Sequence, residues 1–247
     1  MSDLEAYFFG NSGRQIHKWT HYFEIYERHL ARFRGTDVHL LEFGVSHGGS
    51  LQMWKEYFGP KCKIFGVDIN PECKTLEEDR VRIFIGDQGD RNFLRSLKET
   101  IPRVDLLIDD GGHLVEQQIN TFEELFPHVS ETGLYLCEDC HSSYLASFGG
   151  GYKHRGSFIE YSKTFVDALH AWHSQNKRLK ITEFTRSAGS VHFYNGVVVV
   201  EKKVVEAPRH LKTGIPGVSG YRWSRSVLER VRLRLKRFLR KYGFRLP

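Results

Sequence analysis

The chain has 247 residues, 40% of them hydrophobic, which is enough for one large α/β domain with a sizeable core. No run of eighteen apolar residues occurs, and the start MSDLEAYFFG lacks a basic stretch followed by an apolar one, so neither a spanning helix nor a signal peptide is predicted. Four cysteines are too few for a disulfide scaffold at this length, so reduced thiols and a cytoplasmic protein are expected. The net charge of +6 is unevenly spread: from Arg222 onward ten Lys/Arg face one acid, Glu229, so that segment carries +9 and the rest of the chain −3. The basic balance therefore describes the tail, and nucleic-acid binding by the body is not implied.

In chain order, Ile16, Trp19, Tyr22, Phe23, Tyr26, Leu30 and Phe33 fall at helical spacing and predict a helix over 14–33. Short apolar runs then alternate with helical patterns. Strands are expected at His39–Val45, Lys63–Ile69, Val81–Ile85, Asp105–Asp109 and Leu134–Cys137. Helices are expected at about Ser50–Phe58, Asp90–Thr100, Leu114–Val129 and Phe158–Ser174. Two final strands, near Leu179–Thr185 and Val191–Glu201, are close enough in sequence that they must run antiparallel. The expected fold is thus α/β and Rossmann-like: a mostly parallel seven-stranded sheet ending in an antiparallel hairpin, with helices on both faces. The organisation divides into an N-terminal helical segment (1–35), the α/β domain (36–205), and a linker with a basic amphipathic helix (206–247).

Ligands of open α/β sheets sit beyond the carboxyl ends of the strands. The first strand ends in Glu42-Phe43-Gly44-Val45-Ser46-His47-Gly48-Gly49-Ser50, a turn whose glycines let backbone approach a ligand. The second ends at Asp68, placed to accept hydrogen bonds from ribose hydroxyls, and the third in Gly86-Asp87-Gln88, where a polar side chain can meet an adenine amine. A nicotinamide loop would need glycine where Ser46 stands. The G-x-S-x-G pattern of α/β-hydrolases is matched formally, but that elbow follows several earlier strands, whereas this one closes the first. A turn with no ligand is the plain alternative, and the coincidence of Asp68 and Asp87 on the next two strands weighs against it.

The fourth strand ends in Asp109-Asp110-Gly111-Gly112-His113 and the fifth in Cys137-Glu138-Asp139-Cys140-His141. Carboxylates crowded this way repel unless a proton or cation is shared among them, and oxygen ligands suit Mg²⁺, Mn²⁺ or Ca²⁺. Helix capping by acids is the alternative. His113 can remove a proton from a hydroxyl polarised by such a cation. Cys137 and Cys140 have C-x-x-C spacing but no second pair, so packing is expected rather than zinc.

The set Glu42-Phe43-Gly44-Val45-Ser46, Val67-Asp68 and Gly86-Asp87 resembles the S-adenosylmethionine (SAM) site of class I methyltransferases. That resemblance assigns Glu42, Gly44, Ser46, Gly48 and Asp68 to SAM, with Asp87 or Gln88 near adenine and Asp109 also at the cofactor. The pairing of Asp109-Asp110-Gly111-Gly112-His113 with Glu138-Asp139, together with Ser12–Trp19 and Gly149-Gly150-Gly151-Tyr152, is similar to the metal-dependent sugar O-methyltransferases of macrolide biosynthesis. It implies Asp110, Glu138 and Asp139 as ligands of a divalent metal such as Mg²⁺. It also implies His113 as general base beside Asp110, and a sugar hydroxyl as acceptor. A non-sugar hydroxyl such as a catechol, or a binding protein with a degenerate core, are the alternatives. The glycine-rich stretch 147–157 is expected to be either a lid or an ordinary surface loop. Val227, Val231, Leu235, Phe238, Leu239 and Tyr242 form an apolar stripe among arginines. It would dock on this chain or a second subunit, or lie on an anionic membrane surface at the inner face; nucleic acid is the least favoured partner.

Overall fold

Alternating apolar residues on β1 (His39–Phe43) pack on both faces of a sheet, and the rest of the architecture follows from covering those faces. The computed structural model describes residues 1–218 together with 231, 234–236, 238 and 239. Its sheet also holds β2 (Lys63–Asp68), β3 (Val81–Ile85), β4 (Val104–Asp109), β5 (Val129–Cys137), β6 (Ala188–Phe193) and β7 (Val198–Lys202). The strand order is β3-β2-β1-β4-β5-β7-β6. The β1–β2, β2–β3, β1–β4 and β4–β5 pairs are parallel, and β7 runs antiparallel to both β5 and β6. The expected seven-stranded sheet is therefore present, with the order reversing between β1 and β4. That reversal opens a crevice at the carboxyl ends of these two strands.

Two cores flank the sheet. On one face, α1 (Asp3–Gly10), α2 (Tyr22–Leu30) and α3 (Gly49–Phe58) bury Leu4, Phe23, Tyr26 and Trp54 against Leu40 and Leu106. On the other, α4 (Arg91–Thr100), α5 (Val115–Leu125) and α6 (Phe158–Leu169) bury Leu94, Phe122 and Phe165 against Leu41, Leu107 and Tyr135. Both Cys137 and Cys140 belong to this second core, and all four cysteines are free and buried.

Several expectations need correction, among them β5, which begins at Val129 instead of Leu134, and the helix expected over Leu114–Val129, which ends at Leu125. The helix over 14–33 is confined to Tyr22–Leu30, followed by a 3₁₀ turn at Ala31–Phe33. Residues 15–19 are irregular chain, and a separate helix, α1, precedes them, started by a capping box between Ser2 and Glu5. Ile16 and Trp19 matched the helical period without sharing the helix; Trp19 is 52% exposed. The last two strands are also displaced. Leu179–Thr185 holds no strand; α7 (Glu183–Ser187) begins there, and the single run Val191–Glu201 contains the hairpin turn itself. Asn195-Gly196 makes that turn, with Gly196 at φ 78° and Tyr194 N–H donating to the Val197 carbonyl at 2.8 Å.

The chain divides into two units, Met1–Ala207 and Pro208–Pro247. In the second, most of the predicted basic helix lies outside the described residues. Those described at 231, 234–236, 238 and 239 are helical, and Val231, Leu235 and Phe238 are exposed. Among the described residues no helix is long and apolar enough to cross a membrane.

Candidate active site

A cavity of about 520 Å³ opens at the crevice, lined by the β1 turn, the ends of β2 to β5, and the irregular segment 15–19. Its volume lies in the range of small-molecule sites. The β1 turn is shaped by left-handed backbone at Gly44 (φ 90°), Ser46 (φ 50°) and Gly48 (φ 73°). Gly48 caps α3, and Gly49 has no room for a side chain because the Gln15 carbonyl oxygen would lie 2.3 Å from a β-carbon. Asp68 fastens this turn: its Oδ2 accepts from Ser46 N–H and its Oδ1 from Asn70 N–H, each at 2.9 Å. Gly44, Ser46, Asp68, Asp87 and Gln88 all line the cavity.

Glu42, Gly48 and Asp109 lie outside that lining. Glu42 alternates onto the α3 face of β1, where its carboxylate accepts from Ser50 Oγ and Trp54 Nε1, both at 3.1 Å. Burial pushes its carboxyl up to about 7, against the opposing pull of Lys18 and these two donors. Asp109 accepts from Gln88 Nε2 at 2.6 Å and from the Tyr135 hydroxyl at 3.0 Å, and burial raises it to about 6 despite both bonds. Gln88 is itself fully engaged. Its nitrogen also donates to Thr121 at 2.9 Å and its oxygen accepts from Gly112 N–H at 3.0 Å. Asp87 is exposed at the cavity wall, with one oxygen accepting from Gly89 N–H.

At the other end of the cavity, Asp110, Glu138, Asp139 and His113 all line the wall, and the structure gathers Asp110, Asp139 and His113 into one cluster that does not include the expected ligand Glu138. Asp139 (φ 49°) and His113 (φ 57°) hold left-handed backbone, as Ser46 does, so three of the five non-glycine residues in that conformation among the described residues stand at this cavity. Such strain persists only where surrounding contacts enforce it and gathers at functional sites. His113 Nε2 lies 3.5 Å from Asp139 Oδ2 and 3.9 Å from Asp110 Oδ1, and the donor atoms of these three residues all fall within 4.8 Å of one another.

Sequence reasoning missed Lys18. Its Nζ donates to Asp110 Oδ2 and, at 2.9 Å, to Glu138 Oε2, with the side chain 2% exposed. Burial opposes its charge, but Asp110, Glu138 and Glu42 more than compensate and hold the ammonium protonated. Burial, reinforced by Asp110, pushes the Glu138 carboxyl well above the usual range while Lys18 pulls it back. Tyr22, also unassigned, donates to Asp139 Oδ1 at 2.7 Å. A helix through 14–33 would have carried Lys18 and Tyr22 on a single rod; the irregular segment lets them turn separately into the acids. The signal available was Asn11-Ser12-Gly13, turn residues in which Asn11 Oδ1 accepts from Gly13 N–H at 2.9 Å.

The glycine-rich stretch 147–157 contributes no residue to the cavity lining. It is stitched by local bonds, among them Gly151 N–H to the Ser143 carbonyl and Ser157 N–H to the His154 carbonyl, while Tyr152 projects outward at 80% exposure.

Residues 41–140, which run from β1 through the acids after β5, match the model of a methyltransferase domain family. The chain carries a methyltransferase domain. The domain is 36% identical over 197 residues to an 8-demethyl-8-α-L-rhamnosyl tetracenomycin-C 2'-O-methyltransferase of Streptomyces olivaceus, covering 76% of this chain and 51% of that protein. It is 33% identical to the mycinamicin VI 2''-O-methyltransferase of Micromonospora griseorubida, covering 82% and 52%. The chain thus spans about half the length of the curated relatives it matches. Among solved structures, the methyltransferase MycE in complex with Mg, SAH and mycinamycin VI superposes with a TM-score of 0.74 at 30% identity, over 94% of this chain and 58% of that one. The methyltransferase domain therefore has the Rossmann-like fold expected for it.

Proposed function

We propose that the methyltransferase domain transfers a methyl group from SAM to a sugar hydroxyl of a glycan or glycosylated metabolite, with a divalent cation beside the cofactor. The observation that carries this reading is the arrangement of the three acids. Asp110, Glu138 and Asp139 each spend one oxygen on a hydrogen bond to Lys18 or Tyr22, and the other oxygens of Asp110 and Asp139 face His113 Nε2 at 3.9 and 3.5 Å. Glu138 Oε1 is buried with no partner at hydrogen-bond distance, with the buried Tyr26 hydroxyl close enough to Glu138 to act on its carboxyl, and a bound cation would complete its coordination. Three oxygen donors with positions left for water or substrate fit a hard cation such as Mg²⁺. The names of the relatives, which act on a rhamnosyl tetracenomycin and on mycinamicin VI, support a sugar acceptor.

When bound, SAM supplies an electrophilic methyl on sulfur, and the cation supplies Lewis acidity at the acceptor hydroxyl. The chain's own residues do the rest. The turn at Gly44 and Ser46 and the Asp68 carboxylate would hold the methionine and ribose parts of SAM, and Asp87 is better placed than the engaged Gln88 to meet adenine. Glu42 and Asp109 brace this wall from behind through α3 and Tyr135. His113 would accept the proton of the acceptor hydroxyl, whose oxygen would receive the methyl group that bound SAM supplies. Holding donor and acceptor at one cavity supplies much of the acceleration.

A second role for His113 is favoured by its proximity to Asp110 and Asp139, which would make it a metal ligand. His113→Ala separates the two. A base gives unchanged Mg²⁺ affinity with turnover reduced on the order of 10²–10⁴-fold, whereas a ligand gives lost Mg²⁺ binding. The whole reading is tested by calorimetric titration of SAM and Mg²⁺ on wild type, Asp68→Ala and Asp110→Asn, followed by assay on deoxysugar glycosides. Asp68→Ala should lose SAM and Asp110→Asn should lose Mg²⁺ alone; a wild type that binds no SAM would sink the proposal. Transfer to catechols but not to glycosides would redirect it to a non-sugar acceptor.

We further propose that the basic stretch, whose apolar side chains at 231 and 235 are exposed, docks on this chain or on a second copy, or lies on an anionic membrane surface at the cytoplasmic face. Sedimentation with and without anionic vesicles at physiological salt distinguishes these partners.

A further inference from the structure

One oxygen of each of Asp110, Glu138 and Asp139 is held by a donor from one short stretch of chain. Lys18 Nζ takes Asp110 Oδ2 and Glu138 Oε2, and the Tyr22 hydroxyl takes Asp139 Oδ1. Between them these two residues engage one oxygen of every acid. The stretch is fixed from outside, since the carbonyls of Arg14 and Gln15 lie against Gly49 so closely that a β-carbon there would stand 2.5 and 2.3 Å from them. Lys18 is 8% exposed as a whole residue and Tyr22 is 1% exposed, so neither side chain has room to swing away without unpacking the segment.

We propose that Lys18 and Tyr22 are a built-in clamp on the metal-binding acids. The inference rests on the metal reading above and adds to it two positioning residues that do not contact the cation themselves. The lysine offsets the mutual repulsion of the carboxylates before any cation arrives, and the pair orients each acid so that one oxygen remains for the cation. The charge that stabilises the metal-free corner also opposes a second positive charge beside it. Lys18 therefore holds metal affinity down, while Tyr22, which is neutral, only raises it by orienting Asp139.

The two residues are separated by thermal unfolding and Mg²⁺ titration of full-length wild type, Lys18→Met and Tyr22→Phe, with Na⁺ at matched ionic strength as control. Metal-free Lys18→Met should unfold at a lower temperature than wild type. Mg²⁺, but not Na⁺, should recover most of that loss, with Mg²⁺ binding tightened roughly tenfold. Tyr22→Phe should bind Mg²⁺ several-fold more weakly, without a larger Mg²⁺-induced stabilisation. A Lys18→Met protein whose lost stability Mg²⁺ does not restore, in a wild type that does bind Mg²⁺, would show Lys18 to be ordinary packing and overturn the clamp. Absence of Mg²⁺ binding to the wild type would instead remove the metal reading, and the clamp with it.

Discussion

The carbonyl oxygen of Asp110 lies 1.9 Å from where a β-carbon on Gly44 would stand. Two strand ends thus touch backbone to backbone across the crevice, the cofactor turn of β1 against the acidic turn of β4. Gly44→Ala must displace the Asp110 peptide as well as hold alanine at φ 90°. Gly35, at φ 71° with open space around it, is the matched control. Chemical denaturation should show a loss of about 1–2 kcal/mol for Gly35→Ala. The loss for Gly44→Ala should be at least about twice that, accompanied by loss of SAM binding. Equal losses would mean the contact is easily relaxed.

Glu42 makes stability depend on pH in a definite direction. Its folded-state carboxyl sits at about 7 against an ordinary value of 4.5, so the protonated form is favoured by folding. That contribution is fully present below pH 4.5 and is lost as pH rises through 7. Glu42→Gln lacks it. The stability of wild type relative to Glu42→Gln should therefore fall by about 3 kcal/mol between pH 4.5 and pH 8, measured on the SAM-free protein. A difference that stays flat with pH would place the carboxyl in a better solvated setting.

Gln88 joins three elements through one amide: β4 at Asp109, α5 at Thr121, and the turn at Gly112. Gln88→Leu keeps the bulk and leaves buried partners unsatisfied, so a destabilisation of about 2–3 kcal/mol is expected in urea unfolding. A loss under about 0.5 kcal/mol would show that water replaces the amide.

His29 on α2 ties the helix to the antiparallel end of the sheet, with Nδ1 at 2.8 Å from Glu201 Oε1 and Nε2 at 2.8 Å from the Tyr194 hydroxyl. His29→Leu should cost about 1–3 kcal/mol. Hydrogen exchange should then rise in α2 and β7 together, whereas protection lost in α2 alone would mean that the hairpin does not depend on this bond.

Much of the fold was legible because parallel strands buried on both faces read as short apolar runs; β3 lies at Val81–Ile85 as expected and β1, β2 and β4 differ at their ends by one or two residues. The acids after β4 and β5 were legible for a related reason: turns that follow such strands converge on one crevice. The N-terminal segment was not, because Ile16 and Trp19 fit a period of 3.6 by position while the chain just before them is held by the packing of the Arg14 and Gln15 carbonyls on Gly49. The role of Lys18 depended on that path. Glu42 and Gln88 show the converse, since a polar residue at a strand end can serve the wall of a site instead of its contents, and only the partners of its side chain decide which.

The hairpin turn reaches further than its place at the end of the sheet suggests. The Gly196 carbonyl accepts from the Cys140 N–H at 2.9 Å and the Tyr22 hydroxyl at 3.3 Å, and a β-carbon on Gly196 would stand 2.4 Å from that hydroxyl. The loop between β6 and β7 is thereby a neighbour of the acids, although it lies more than fifty residues beyond the last of them. Residues 41–140, for all that they hold the glycine turn and every acid, are consequently not a portable catalytic cassette. A fragment cut to those limits would keep the acids and lose Lys18 and Tyr22, which bond to them, together with the turn that backs Tyr22. The shortest piece worth transplanting into another scaffold runs from the first helix to the end of β7.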